Sequence, residues 1–365
     1  MVLALACALS SLVASHAGAA ILTMGDGGTY ATLAEAVAAA VGGDTILVRP
    51  GTYANQVATI NVPLTIEGAG GPVLFTQTAP QLPGLKGFLV TNANTTVENI
   101  TFQGASISDG NGANGAGIRY QAGNLTVINS QFNGDQDGIL ATPATAGSGS
   151  ILIENSGFTG DGVANGPRAG LEHGIYIGAV ASLTVMGSTF QGTLVGHDIK
   201  SRAAVTMISG NYLDDGLTGT TSYAVDLPDG GQGAILGNTI VQGPNTQNNT
   251  MIAYSEEDPL NTTWTNNSLL VSGNAFTNTN HAAIGVNNLS AGVTASIIGN
   301  TFNGVLTIEQ GLASLEANIV IPGLPLLQTT SGAEAVPEPP AVASLLGLVL
   351  LVLIRRRLSP WRLVA

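Results

Sequence analysis

Apolar residues recur along the body of this chain in short runs, without the spacing of a helix. An alternating strand meets Asn or Gly, and an aromatic or aliphatic residue follows two or three positions later. The pattern reads Val97-Glu98-Asn99-Ile100-Thr101-Phe102, then Val127-Ile128-Asn129-Ser130-Gln131-Phe132, then Ile153-Glu154-Asn155-Ser156-Gly157-Phe158. A shifted form carries Gly then Asn: Gly210-Asn211-Tyr212-Leu213, Gly237-Asn238-Thr239-Ile240, Gly273-Asn274-Ala275-Phe276 and Gly299-Asn300-Thr301-Phe302. Gly187-Ser188-Thr189-Phe190 belongs to the same column. The column falls at 102, 132, 158, 190, 213, 240, 276 and 302, with steps of 23 to 36 residues. A fixed motif at irregular steps means one constant turn and one variable loop per repeat. A coil of three short strands fits. The Asn is expected at a tight corner, its amide stacked on the Asn of the next coil.

A second column follows each variable loop: Gly117-Ile118, Gly138-Ile139, Gly174-Ile175, Asp198-Ile199, Ala224-Val225, Met251-Ile252 and Ala283-Ile284. Its aliphatic residue is expected to point inward. The coil order is then strand, corner, strand, long loop, strand. Tyr30 to Val41 carries an Ala-rich helical pattern (Leu33, Ala36, Val37, Ala40) that suits a cap on the open end of a solenoid. Thr45 to Tyr53 and Leu64 to Gly68 are the first coils. The predicted fold is all-β: a single-domain right-handed parallel β-helix over residues 21–325 with a short N-terminal capping helix. This opening and the corner repeats resemble the pectin-lyase-like superfamily of right-handed β-helices. That resemblance implies the fold; the superfamily holds lyases, hydrolases, epimerases, esterases and non-catalytic surface proteins.

The two ends read differently. Residues 1–20 are apolar or small and close on Ala17-Gly18-Ala19-Ala20, a secretory signal peptide cut after Ala19 or Ala20. Residues 326–339 are a linker that ends in Val336-Pro337-Glu338-Pro339. Residues 340–357 are an apolar segment closed by Arg355-Arg356-Arg357, and residues 358–365 a cytoplasmic tail. The apolar stretch is short for a transmembrane helix, which takes about 20 residues, but arginines at its end extend its reach. The trio resembles the PEP-CTERM sorting signal of Gram-negative bacteria. That resemblance implies an exosortase partner, transient anchoring in the inner membrane and release to the cell surface or the exopolysaccharide.

Charge and cysteine narrow the function. Formal net charge is −13. Between residues 21 and 335 the only cations are Arg49, Lys86, Arg119, Arg168, Lys200 and Arg202. So acidic a body argues against nucleic acid, which needs a basic footprint. The one cysteine, Cys7, lies in the leader, which excludes disulfides and thiolate chemistry from the mature body. A solenoid with capped ends is expected to be a monomer.

Against this background two histidines fall at matching positions of adjacent coils, His173-Gly174-Ile175-Tyr176 and His197-Asp198-Ile199-Lys200. The next coil reads Tyr223-Ala224-Val225-Asp226. With Ile175, Ile199 and Val225 inward, Tyr176, Lys200 and Asp226 point outward at neighbouring-strand distance. Arg202 shares their face. Loops 159–172, 214–222 and 241–250 are expected to wall the patch. In the resembling lyases the polysaccharide groove runs along this strand face.

The patch suits β-elimination of an acidic polysaccharide, or C5-epimerisation, which shares its first step. Either needs a cation on the carboxylate, a base for the C5 proton and, for elimination, an acid for the leaving oxygen. Arg202 or a metal is the candidate neutraliser. Lys200 or His197 is the candidate base, the lysine with a lowered pKa. Tyr176 or His173 is the candidate acid. Asp226, Tyr223 and Asp198 are candidate substrate contacts, and Asp226 could orient Lys200 or hold Ca²⁺. The bland alternative is an inert polar ladder on a matrix or adhesion protein that holds exopolysaccharide. Gly196-His197-Asp198 with Lys200 faintly resembles motifs of polygalacturonase-type hydrolases. The paired aspartates of those enzymes should precede it, yet Asp214-Asp215 come after. Glu256-Glu257-Asp258 reads as a solvated loop or a Ca²⁺ site, Asp135 and Asp137 as turn residues, and His281 as structural.

Overall fold

Each repeat folds into one coil, and the coils stack into three parallel sheets of 12, 11 and 10 strands. The computed structural model describes residues 18–163, 165–279 and 283–322. One coil shows the plan. Thr95–Glu98 joins the first sheet, Thr101–Gln103 the second and Ala116–Tyr120 the third. Each pairs in parallel with its counterpart in the next coil. The arrangement fits a right-handed parallel β-helix, the hand that strand–crossover–strand connections favour. Residues 1–17 of the leader, the Pro-Glu-Pro motif, the apolar segment with its arginines and His281 all lie outside the described residues. No helix among those described is long and apolar enough to cross a membrane.

The corner has two positions with separate duties, which explains the shifted motif. The first adopts a left-handed backbone and is filled by Asn99, Asn129 and Asn155, then by Gly187, Gly210, Gly237, Gly273 and Gly299. Asn tolerates positive φ better than most residues, and Gly carries no penalty there. The second position carries the ladder. Ser130, Ser156 and Ser188 each accept the main-chain N–H of the coil before, at 3.1 to 3.3 Å. Asn211, Asn238, Asn274, Asn300 and Asn318 continue the series at 2.8 to 3.0 Å. The expected Asn stack is therefore corrected at Asn99, Asn129 and Asn155: their side chains are exposed, and the next residue, Ile100, Ser130 or Ser156, holds the ladder position, with the two serines as acceptors.

The aromatic column fills the interior. Phe102, Phe132, Phe158 and Phe190 stand in register and fully buried. Their rings stack at 5.2, 4.7 and 4.5 Å. Gly117 and Gly138 face this column. A Cβ there would come within 2.5 and 2.6 Å of the Phe132 and Phe158 rings. Phe158→Ala is expected to cost about 3–5 kcal/mol, the range for emptying an aromatic site in a packed core. Urea unfolding measures it, and a loss below about 1 kcal/mol would mean the stack is not the core.

The third sheet keeps Ile118, Ile139, Ile175, Ile199, Val225 and Ile252 in one inward column. The next member is Val286 and not the expected Ile284, which pairs with Thr250. The slip is two residues, so the same face stays inside. At the N-terminal end the helix α1 (Leu33–Ala39) is shorter than the expected 30–41. Thr32 and Glu35 close a capping box at its start, and Leu33 and Ala36 are its buried face. Its C-terminal cap, Ala40, is already extended.

The outer face of the third sheet positions the site. Its central outward row runs Thr59, Val90, Arg119, Leu140, Tyr176, Lys200, Asp226, Ala253, one residue per strand.

Candidate functional site

Tyr176, Lys200 and Asp226 align as the alternation requires, but they form a closed network. Lys200 is 8% exposed, and its Nζ lies 3.0 Å from Asp226 Oδ2 and 3.2 Å from Glu257 Oε1. Burial alone would lower its pKa, but Asp226 and Glu257 outweigh burial and hold it above the ordinary lysine value. Lys200 therefore stays protonated and is no base, against the sequence expectation. Burial pushes Asp226 up to about 7, opposed by Lys200. Arg202 donates Nε–H to Tyr176 Oη at 2.9 Å, and its other nitrogens bind Asp229 and Glu257 at 2.5 and 2.6 Å. Burial works to lower its pKa, but these partners prevail and raise it. A guanidinium so occupied does not neutralise a substrate carboxylate. Glu257 belongs to the segment expected to be solvated, and it closes over the patch.

The histidines form a ring stack. His173 and His197 lie 4.8 Å apart, His197 and Tyr223 5.0 Å, and Tyr176 stacks on His173 at 5.5 Å. His197 N–H donates to His173 Nδ1 at 3.0 Å, and Tyr223 N–H to His197 Nδ1 at 3.2 Å. An Nδ1 that accepts cannot carry the proton, so each neutral ring holds it on Nε2. Burial, then neighbouring cations, drive His173 well below its ordinary value and His197 to about 3. Both rings are neutral with Nδ1 engaged. His197 is thereby corrected from candidate base to corner ladder, and His173, at 3% exposure, from candidate acid to the same role.

Asp198 is also corrected. It occupies the position of Gly138 and Gly174, just before the strand begins, where alternation does not hold. It is buried near Asp215, not on the outer face. Tyr223 is held by stacking and by Glu256, its hydroxyl pushed up to about 12 chiefly by burial. Asp215 is buried and accepts Gly243 N–H at 2.9 Å, so Asp214-Asp215 form no open hydrolytic pair.

Beside Tyr176 opens a cavity of about 180 Å³, lined by Asn114, Asp137, Leu140, Thr142, Arg168, Leu171, Glu172 and Tyr176. Arg168, Leu171 and Glu172 bring the loop that was expected to wall the Lys200 patch to this cavity instead; Glu172 was not foreseen. Glu172 shows no surface to bulk solvent, and neither carboxylate oxygen makes a hydrogen bond of ordinary geometry. Burial raises it to about 6, offset in part by its own N–H, that of Leu171, and Arg168. Asp137 is no simple turn residue. It is buried, accepts His173 N–H at 3.0 Å, and sits well above the carboxylate range through burial. The buried Arg168 Nε has no partner. Tyr176 Oη accepts from Arg202 and keeps its own proton to donate. Among the described residues no three acids or histidines converge to hold a metal ion.

Asp135 also departs from the turn reading. Its Oδ1 accepts Ala105 N–H, and Asp161 Oδ1 accepts Asp135 N–H at 2.8 Å, a buried carboxyl ladder. Burial raises Asp135, Asp137, Asp161 and Asp198 well above the ordinary value, and Asp215 above it. A carboxyl that keeps its proton in the fold and loses it on unfolding stabilises the fold at low pH. That contribution is complete below the ordinary carboxylate range and lost as pH rises through the folded value. The histidines act oppositely, but only below their ordinary 6.5. Above the ordinary histidine value of 6.5, where the histidines no longer oppose them, these carboxyls are therefore expected to make the melting temperature rise as pH falls. Scanning calorimetry checks it; a flat profile would show that these carboxyls are ionised in the fold.

No family model and no curated protein matches the chain. Similar solved structures include a PL6 family alginate lyase, at 13% identity and TM-score 0.49, over 84% of this chain and 40% of that one. A PL6 family polysaccharide lyase from Pseudopedobacter saltans matches at 14% identity and TM-score 0.49, over 82% and 95%. The A-module of a mannuronan C-5 epimerase from Azotobacter vinelandii matches at 12% identity and TM-score 0.31, over 80% and 93%. The chain thus spans about two fifths of the first alginate lyase. None of these likenesses reaches a TM-score of 0.5, so none carries an argument, and the chemistry of the Glu172 cavity rests on its own geometry.

Proposed function

We propose that this protein cleaves an acidic polysaccharide by β-elimination at the Glu172 cavity. The observation that carries the reading is Glu172 itself. Its carboxylate is raised to about 6, lines a cavity and lies beside two groups of complementary chemistry. A general base works best when its pKa is near the working pH. Arg168 faces the same space and neutralises the uronate carboxylate, which acidifies the C5 proton. Glu172 takes that proton. The electron pair forms the C4–C5 double bond and breaks the C4–O bond. Tyr176 gives its hydroxyl proton to the leaving oxygen, and Arg202 steadies the resulting tyrosinate. To reset the site, Glu172 releases its proton to solvent and Tyr176 takes one back. Return of a proton to the opposite face of C5 would instead yield the epimer. The sorting-signal resemblance, outside the described residues, suits a substrate in the envelope or exopolysaccharide.

A second reading has its own observation. The Lys200–Arg202 network is closed by Asp226, Asp229 and Glu257, as on an inert surface. A matrix protein that holds exopolysaccharide without cleaving it fits that feature. One experiment separates the two. The full chain is incubated with a panel of acidic polysaccharides while ultraviolet absorbance of unsaturated uronate is followed. Proton exchange at C5 is read by NMR. A rise in absorbance, lost in Tyr176→Phe, is expected. Neither absorbance nor C5 exchange on any polymer would overturn the enzymatic reading in favour of the matrix one.

A further inference from the structure

A second and larger cleft, about 750 Å³, lies on the same sheet toward its N-terminal end. Its floor is apolar, built from Val37 of α1 with Val57, Val62 and Val90; Lys86 and Gln121 stand at its edge. It is tied to the Glu172 cavity by the outward row. Thr59 and Val90 line the cleft, Arg119 comes next, then Leu140 and Tyr176 line the cavity. Four strand steps separate Thr59 from Tyr176, about 19 Å at about 4.8 Å per strand.

The cations choose this face. Six stand on the described residues. Lys200 and Arg202 are consumed in ion pairs, and Arg49 binds the Asp26 carbonyl. The other three, Lys86, Arg119 and Arg168, have no carboxylate at ion-pair distance among the described residues, and all three lie along this path. Arg119 donates only to the Thr142 hydroxyl, at 3.3 Å. On the other side of Tyr176 the surface is acidic, with Asp229, Glu256, Glu257 and Asp258 close together. In an acidic body such local contrast steers a polyanion one way only.

We propose that an acidic polysaccharide lies along the third sheet from the Glu172 cavity toward α1, with its far end seated in the cleft beside Lys86. This rests on the elimination reading, and it adds a direction and a distal subsite. Sugar rings present apolar faces that suit the valine floor, and Lys86 and Arg119 meet successive carboxylates. The carboxylates of Glu256–Asp258 bar the chain from the opposite side.

Binding tests it apart from turnover. The full chain carrying Glu172→Gln is titrated calorimetrically with an oligouronate trimer and hexamer at low salt. Lys86→Gln is expected to weaken the hexamer about tenfold and leave the trimer unchanged, a difference of about 1.4 kcal/mol. Ala38→Trp, which fills the cleft from an exposed helix position, should do the same without the charge change. Arg49→Gln, an equal charge change off the path, should do nothing. Unchanged hexamer affinity in both cleft variants, equal loss in Arg49→Gln, or no binding of any oligouronate overturns the proposal. Product from the wild type with no Lys86 effect sinks the path alone. Hexamer binding that depends on Lys86 without product sinks elimination alone.

Discussion

Asn238→Ala is expected to destabilise the solenoid by about 3–5 kcal/mol. Asn238 is buried. Its Oδ1 accepts from the main-chain N–H and the side chain of Asn211, at 2.8 and 3.0 Å. Its Nδ2 donates to the Ile208 carbonyl and to Asn274 Oδ1, at 3.0 and 2.9 Å. Alanine leaves the Asn211 N–H without a partner and the Ile208 carbonyl short of one, inside the molecule. Each orphaned buried group costs about 1–3 kcal/mol. Asn238→Ser should recover part of the loss, because serine at 130, 156 and 188 accepts the same main-chain N–H. Denaturant unfolding of the two variants checks this. Alanine and serine costing the same would mean that the ladder bond contributes little.

Glu172→Gln is expected to lower turnover by at least about a hundredfold, the lower range for removing a general base. The fold should not suffer. Glu172 is raised to about 6, chiefly by burial, so above that pH its charge is held at a cost. Glutamine removes that cost, and the melting temperature at about pH 8 should stay level or rise. The wild-type kcat/KM should climb with pH through about 6 as Glu172 loses its proton. A variant both inactive and unfolded would not bear on catalysis. An active, folded one would remove Glu172 from the mechanism.

Much of the architecture was legible because the repeat exposes it. Phe102, Phe132, Phe158 and Phe190 could be aligned from their motif alone, and they stack as aligned. The register of Tyr176, Lys200 and Asp226 could be read from alternation within the strands. Alternation fails at strand entrances, so Asp198, a candidate substrate contact from sequence, is instead buried at the position that Gly138 and Gly174 hold in the coils before. The shifted corner motif hid two positions behind one consensus, and the ladder was assigned to the wrong asparagines in the first coils. The candidate site was harder to read for a physical reason. Lys200 and Arg202 stood out as rare cations, but sequence does not show which carboxylates a distant loop delivers. Glu257 lies 57 residues from Lys200 and closes on it. Glu172 carried one available signal, its place at the end of a long loop beside His173. Arg119 carried another, as the outward residue one strand before Leu140 in the same row as Tyr176.

The most direct test sets Glu172→Gln beside Lys200→Met in one elimination assay, each confirmed folded at about pH 6.5, with uronate absorbance as the readout. Glu172→Gln should lose the activity and Lys200→Met should keep most of it, because Lys200 is a protonated partner of Asp226 and Glu257 and touches no substrate. Loss in Lys200→Met with activity retained in Glu172→Gln would contradict that assignment, and would move the chemistry to the patch that Glu257 covers here.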